Sequence, residues 1–91
     1  MRVVSWRVSA AEQFDDLFDY VRQRNRDAAE RLFADFAERI ERLAEWPAIG
    51  RPGREKGTRE FVVHPNYIIV YKVTREEIDT IRVLHARQRY P

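Results

Sequence analysis

Cysteine is absent from this chain of 91 residues. Disulfide bonds and thiolate metal sites are therefore excluded, because both require the cysteine sulfur. The two histidines, His64 and His85, have neither the H-x₃-H spacing nor the H-E-x-x-H motif that would indicate a histidine metal site. We therefore expect a fold without a metal or another cofactor, held together by a packed core.

Long apolar runs are also absent. No run approaches the ~18 residues that span a membrane, and the charged segment from Met1 to Arg7 is not expected to form a signal sequence. Only three glycines and four prolines occur, and 44% hydrophobic with 35% charged residues is typical of a folded chain. We predict a single domain over residues 1–91 that acts in the cytoplasm without a membrane partner.

Lysine is rare, since it occurs only at positions 56 and 72 and the other fifteen of the seventeen cations are arginines. Arginine forms forked hydrogen bonds to carboxylate and phosphate groups, which lysine cannot do. Residues 1–45 contain eight cations and ten acids, whereas residues 46–91 contain nine cations and five acids. The second half of the chain is therefore suited to a partner rich in negative charge.

The first half of the chain predicts one strand and two helices. β-Forming residues predict a strand over residues 2–8. Two capping-box patterns, Ser9–Glu12 and Asp27–Glu30, predict the starts of two helices. The first helix is expected to end near Arg24-Asn25 and the second at Trp46-Pro47, and the short link predicts an antiparallel hairpin. The apolar stripes at helical spacing, predicted to be core, are Phe14, Leu17, Phe18 and Val21, then Leu32, Phe33, Phe36, Ile40 and Leu43.

The second half of the chain predicts a small sheet. Glycine and proline between positions 47 and 57 indicate a loop, and strands are predicted over residues 61–63, 67–73 and 78–84. The strand at 67–73 is apolar on both faces and is therefore expected to be central. The predicted fold is α+β with the order βααβββ, in which the helical hairpin packs on one face of a mostly antiparallel sheet.

The helices can cover only one face of this sheet, so the other face is expected to be open. Alternation along the last strand groups Thr80, Arg82 and Leu84 on one face, and Ile81 and Val83 on the other. If Ile81 faces the helices, Arg82 lies on the open face.

Four motifs stand in order along the chain: Pro47–Arg54, Gly57–Glu60, Tyr67–Tyr71 and Val83–Pro91. Together with the predicted strand and helical hairpin before them, they resemble the RelE/ParE superfamily of toxins from type II toxin–antitoxin modules. The resemblance spans essentially the whole chain. It implies a growth-inhibiting toxin that forms a hetero-oligomer with a cognate antitoxin.

The resemblance implies one of two mechanisms. ParE-like members inhibit DNA gyrase by binding and without catalysis, whereas RelE-like members cleave mRNA on the ribosome as metal-independent endoribonucleases. RelE-like nucleases commonly carry an arginine after the tyrosine of the third-strand motif, where this chain has Ile68, and a lysine-rich stretch, of which only Lys56 remains. The ParE-like mechanism is therefore favoured. The nuclease is the alternative, and an inactive antitoxin-binding module is a second alternative.

The candidate site residues follow from these mechanisms. A nuclease needs a proton-transfer group and cations that stabilise charge on the phosphate, and histidine titrates near neutral pH. For the nuclease, the predicted catalytic residues are His85, Arg82, Arg59 and Tyr90, the last to stack on a base or help at the acid step. For a binding surface, the predicted residues are Arg54, Lys56, Arg59, Arg82, Arg87 and Arg89.

Overall fold

A computed structural model describes residues 2–85, so Arg87, Arg89 and Tyr90 lie outside the described residues. The elements are β1 (Val3–Trp6), α1 (Val8–Arg24), α2 (Arg26–Glu45), a 3₁₀ turn (Pro47–Ile49), β2 (Arg51–Pro52), β3 (Arg59–His64), β4 (Tyr67–Val73) and β5 (Glu77–His85). The strands lie in the order β1-β5-β4-β3-β2. β1 runs parallel to β5, and the other neighbours are antiparallel. This is the predicted α+β fold with β4 at the centre, and it adds the short strand β2 where a loop was expected.

The helix starts differ from the predicted capping boxes. α1 begins at Val8, and its N-cap residue Arg7 makes no side-chain capping bond. The Arg7 N–H instead donates to the Thr80 carbonyl at 3.0 Å, so pairing with β5 continues up to the first helical residue. α2 is capped by Asn25, whose side-chain oxygen accepts from the Ala28 N–H at 3.0 Å. Both predicted caps are therefore wrong. α1 begins directly after the pairing of Arg7 with β5, and α2 begins directly after the single extended residue Asn25, through which the chain reverses.

The helical hairpin packs on one face of the sheet, as predicted. Its aromatic side chains meet at the crossing, where the rings of Phe14 and Phe36 are 4.9 Å apart between centroids. The buried cluster between helices and sheet consists of Leu32, Phe36, Leu43, Phe61, Val63, Ile69, Tyr71, Ile78 and Val83. We call the sheet face that carries Ile69, Tyr71 and Val83 the helix face. In residues 2–85, neither helix is long and apolar enough to cross a membrane.

A β-bulge in β5 changes which residues share a face. Val70 pairs with Arg82 and Tyr71 pairs with Thr80, so Ile81 is an extra residue without its own partner on β4. One extra residue reverses the alternation of the residues on either side of it. Thr80 therefore lies on the helix face beside Tyr71 and is fully buried. The prediction that Thr80 shares a face with Arg82 is wrong for this reason.

Arg82 lies on the sheet face away from the helices, as expected. We call the face that carries Glu60, Val70 and Arg82 the outer face. It is less open than predicted, because Glu60, Val70 and Leu84 are all buried.

The capping difference gives a direct test. Asn25→Ala removes the acceptor for the Ala28 N–H and is expected to cost about 1 kcal/mol of unfolding free energy. Ser9→Ala is the control, because Ser9 lies inside α1, and we expect a change below about 0.5 kcal/mol. Urea unfolding followed by circular dichroism measures both. An equal loss in the two variants contradicts the assignment of Asn25 as the cap.

Candidate functional site

A row of four residues crosses the outer face. The strand register places Arg51, Glu60, Val70 and Arg82 directly opposite one another on four adjacent strands. Residues in such positions point to the same side of a sheet. The Arg51 Nε and Nη2 atoms donate to Glu60 Oε1 at 3.2 and 3.1 Å, and Glu60 is only 7% exposed. The carboxylate of Glu60 is thus a fixed, buried negative charge beside the row's cations.

The connection between β2 and β3 brings a second carboxylate to this row. Glu55 Oε1 lies 3.3 Å from Arg82 Nη2. The backbone of the connection is held by Thr58, whose N–H and hydroxyl both donate to the Glu55 carbonyl, at 3.1 and 2.6 Å. Gly57 has a φ of 82°, a value that favours glycine and that allows the chain to turn here. The connection therefore reaches from the edge of the sheet to Arg82 on β5.

A third ion pair lies on the far side of Arg82. Arg7 Nη2 donates to Asp79 Oδ2 at 2.9 Å, and Arg7 Nε donates to Asp79 Oδ1 at 3.3 Å. The hydrogen bond and charge of Asp79 raise the pKa of Arg7, and the charge of Glu55 adds a smaller effect in the same direction. Glu55 is therefore close enough to act on both Arg7 and Arg82. The basic surface expected from composition is partly neutralised by these carboxylates.

Arg59 does not lie on the outer face. It pairs with Tyr71, and its Nη1 donates to the carbonyls of Gly50 at 2.7 Å and Ala48 at 3.4 Å. The Tyr71 hydroxyl donates to the Pro47 carbonyl at 2.8 Å and accepts from the Gly50 N–H at 3.0 Å. These bonds attach the 3₁₀ turn to the sheet. In the structure, the contacts of Arg59 are those of a residue that holds this turn.

His85 lies on the helix face, opposite Tyr67. The two rings meet edge to face, with 5.3 Å between their centroids. The His64 ring lies on the other side of Tyr67, with 5.4 Å between the two ring centroids. Tyr67 also faces Phe36 of α2, at 6.4 Å. The two histidines, distant in sequence, thus flank one tyrosine, and His85 is on the opposite side of the sheet from Arg82.

The predicted catalytic residues within the described range do not converge. Arg59 and His85 pair with Tyr71 and Tyr67, which are four residues and so about 13 Å apart along β4. Arg82 lies on the other face. Arg54 and Lys56 are exposed in the β2–β3 connection, near the outer face. In residues 2–85 no group of three or more histidine, aspartate and glutamate side chains is placed to hold a metal.

Sequence reasoning missed the two carboxylates of the outer face, Glu55 and Glu60. The signal available for them was local: each stands directly after an arginine, in Arg54-Glu55 and Arg59-Glu60. That pattern is common on any solvated surface. It did not indicate that Glu60 is buried or that Glu55 reaches Arg82, which is 27 positions away.

Two apolar surfaces lie apart from this row. A groove of about 290 Å³ between the helices and β1 is lined by Trp6, Ala11, Phe14, Asp15, Phe33, Phe36, Ala37 and Ile40. Phe33, predicted as core, is half exposed beside it. On the 3₁₀ turn and the residue before it, Ile49 and Trp46 are 45% and 63% exposed. Exposed apolar surface of this kind marks sites of protein contact.

Comparison with known proteins gives consistent matches. A family model described as "ParE toxin of type II toxin-antitoxin system, parDE" matches residues 4–90. "Putative toxin Y4kP" of Sinorhizobium fredii is 38% identical over 89 residues, which is 97% of this chain and 92% of the relative. "Toxin RelE2" of Caulobacter vibrioides is 33% identical over 86 residues, which is 94% of this chain and 97% of the relative.

A solved structure described as the chromosomal ParDE TA system from P. aeruginosa has the same fold. Its TM-score is 0.81 at 21% identity, with 93% of this chain and 96% of that chain covered. A YoeB/ParE toxin from Agrobacterium tumefaciens matches with a TM-score of 0.65 at 17% identity, covering 93% and 98%. At these identities the likeness concerns the fold.

The hydrogen bonds of Tyr71 give a stability test. Tyr71→Phe leaves the buried ring in place but removes both bonds to the 3₁₀ turn, and we expect a loss of about 1–3 kcal/mol. Tyr20→Phe is the control, because Tyr20 is exposed on α1. We expect the control to change stability by less than about 0.5 kcal/mol. Urea unfolding measures both variants, and an unchanged midpoint in Tyr71→Phe would show that the bonds contribute nothing.

The same hydroxyl predicts a dependence on alkaline pH. Burial raises the pKa of Tyr71, while the Gly50 N–H and the charge of Arg59 act in the opposite direction. Because this pKa is higher in the folded protein than the ordinary value of 10.0, the unfolded chain ionises first as pH rises. The stabilisation is therefore present below about pH 10 and lost above it.

The stability difference between wild type and Tyr71→Phe isolates this effect from other titrations. We expect the difference to shrink between about pH 8 and about pH 11. Urea unfolding of both proteins at each pH measures it. A difference that stays constant or grows contradicts the direction of the pKa shift.

Proposed function

We propose that this chain, which belongs to the ParE toxin family of type II toxin–antitoxin systems, blocks growth by binding DNA gyrase. The chain is a toxin of the RelE/ParE superfamily with the matching α+β fold. Binding gyrase is the mechanism that the resemblance to ParE-like members implies. A gyrase inhibitor acts where the chromosome is, so the proposal places the protein in the cytoplasm.

One observation supports inhibition by binding rather than catalysis. Arg59, Arg82 and His85 do not face a common point, since Arg82 is on the outer face and the other two are on the helix face. Phosphate cleavage needs the proton-transfer group and the stabilising cations around the same phosphate. Ile68 stands where RelE-like nucleases commonly carry arginine. These features favour the ParE-like mechanism.

The proposed partner in the cell is a cognate antitoxin. One solved relative is described as a ParDE toxin–antitoxin system, and another as the DinJ-YafQ complex of E. coli. An antitoxin segment has two kinds of surface to use here. Apolar side chains fit the groove between the helices and β1. Acidic side chains fit the arginines of the outer face.

A supercoiling assay with purified gyrase tests the proposed target. We expect the toxin to reduce supercoiling of relaxed plasmid, and expect toxin already mixed with its antitoxin to have no effect. Normal supercoiling in a large excess of folded toxin contradicts the proposal. A parallel reaction with ribosomes and mRNA distinguishes the alternative, because codon-dependent cleavage there supports the RelE-like mechanism instead.

Salt dependence tests the acidic contact with the antitoxin. Charged pairs exposed to solvent are screened by ions, so raising salt from about 0.05 M to about 0.5 M is expected to weaken antitoxin binding about tenfold. Isothermal titration calorimetry of the two purified proteins measures this. An affinity that does not change with salt would mean that the apolar groove carries the interaction.

A further inference from the structure

We propose that Glu55 is an internal competitor for the acidic partner of the outer face. In the free protein its carboxylate binds Arg82, and a carboxylate of the partner takes this place when the complex forms. The inference rests on the proposed binding of an antitoxin, and it adds a contact within the toxin that opposes that binding.

The position of Glu55 supports this role. Its side chain extends from the β2–β3 connection, at one edge of the sheet, and meets Arg82 at 3.3 Å on β5. Arg7 is close enough on the other side for the charge of Glu55 to raise the pKa of Arg7. The Glu55 carboxylate thus contacts Arg82 and also acts on the charge of Arg7, two arginines from distant parts of the chain. An acidic side chain from a partner would be attracted to the same point.

Of the two carboxylates that contact arginines of the row, Glu55 can be exchanged for a carboxylate of the partner, whereas Glu60 is fixed. Glu60 is buried in the middle of the sheet and accepts two bonds from Arg51. Breaking a buried pair leaves an uncompensated charge, which is costly. The Glu55 and Arg82 side chains are 40% and 31% exposed, and the distance between them is long for an ion pair. The pair is only partly buried, and ion pairs in contact with solvent contribute about 0–1 kcal/mol.

Exchange at Arg82 requires little movement of the backbone. The Glu55 carbonyl, not its side chain, accepts the bonds from Thr58 that hold the connection. The side chain can therefore rotate away while the turn stays in place. The cost of displacement is the loss of one partly buried ion pair and the ordering of the partner's side chain.

The charge balance favours a carboxylate partner over a nucleic acid. On the outer face Arg51, Arg82 and Arg7 each contact an internal carboxylate. A nucleic-acid backbone gains affinity by neutralising several phosphates at once, which requires several cations to be released together. A single acidic side chain needs only Arg82.

Apolar residues next to Arg82 add a second feature of the partner. Val62 and Ile68 lie opposite each other on the same face, one row away from the charged row, and Val62 is half exposed. Rows on one face are two residues and so about 7 Å apart. The second feature of the partner is therefore an apolar side chain that contacts Val62 and Ile68 beside the charged row.

The test removes the charge of the competitor. Glu55→Gln keeps the length of the side chain and removes the charge that competes for Arg82, so we expect antitoxin to bind about three- to tenfold more tightly at about 0.1 M salt. Glu41→Gln on the exposed surface of α2 is the matched control and is expected to change affinity less than about twofold. Calorimetric titration with the purified cognate antitoxin measures both. Denaturation midpoints check that the variants are folded, and Glu55→Asp, which retracts the carboxylate but keeps its charge, serves if Glu55→Gln does not fold.

A double variant separates a specific contact from a general charge effect. In an Arg82→Gln background, Glu55→Gln is expected to lose its effect on antitoxin affinity, because the contact between Glu55 and Arg82 is already gone. The same gain in both backgrounds would overturn the inference. An unchanged antitoxin affinity in Glu55→Gln would also overturn it. A labelled single-stranded RNA that binds Glu55→Gln more tightly, while antitoxin does not, would indicate a nucleic-acid partner instead.

These outcomes differ from a failure of the proposed function. If wild-type toxin does not bind the antitoxin at all, the proposed partner is wrong. If wild type binds and Glu55→Gln binds no better, the partner stands and the competitor role of Glu55 is wrong.

Discussion

The pairing of β4 with β5, with its one-residue bulge at Ile81, is the constraint on which the candidate site depends. On one side of the bulge Thr80 pairs with Tyr71, and on the other Arg82 pairs with Val70. The extra residue lets Ile78 and Val83, which stand on opposite sides of the bulge, both join the buried cluster on the helix face. It also places the Arg82 side chain on the outer face, in one row with Arg51 and Glu60.

The outer face is a balanced charged surface rather than a bare basic one. Its arginines contact carboxylates of the same chain, and one of those carboxylates, Glu60, is buried. Burying an ion requires a partner, so Arg51 and Glu60 fix each other's positions. The pair of Arg82 and Glu55 is more exposed and carries less energy. A surface of this kind suits recognition of a partner by exchange of ion pairs.

Tyr71 and Arg59 connect the sheet to the 3₁₀ turn. The Tyr71 ring is fully buried, while its hydroxyl bonds to Pro47 and Gly50. Because Arg59 also bonds to the turn, the exposed side chains of Trp46 and Ile49 are mounted on a fixed backbone. This turn and the groove between the helices and β1 present exposed apolar side chains on a fixed backbone.

Local sequence patterns were enough to predict the two helices, four of the five strands, their order and the central position of β4, and the resemblance of four motifs was enough to predict the family. The helices and strands follow from local patterns such as the helical spacing of Leu32 and Phe36 and an apolar run too long for a half-exposed strand. The positions of Thr80 and His85 on the helix face, and the contact of Glu55 with Arg82, depend on the tertiary structure. Alternation along one strand does not reveal a bulge, because a bulge is defined by the register with a neighbouring strand. Likewise, an ion pair across 27 positions exists only once the sheet has formed.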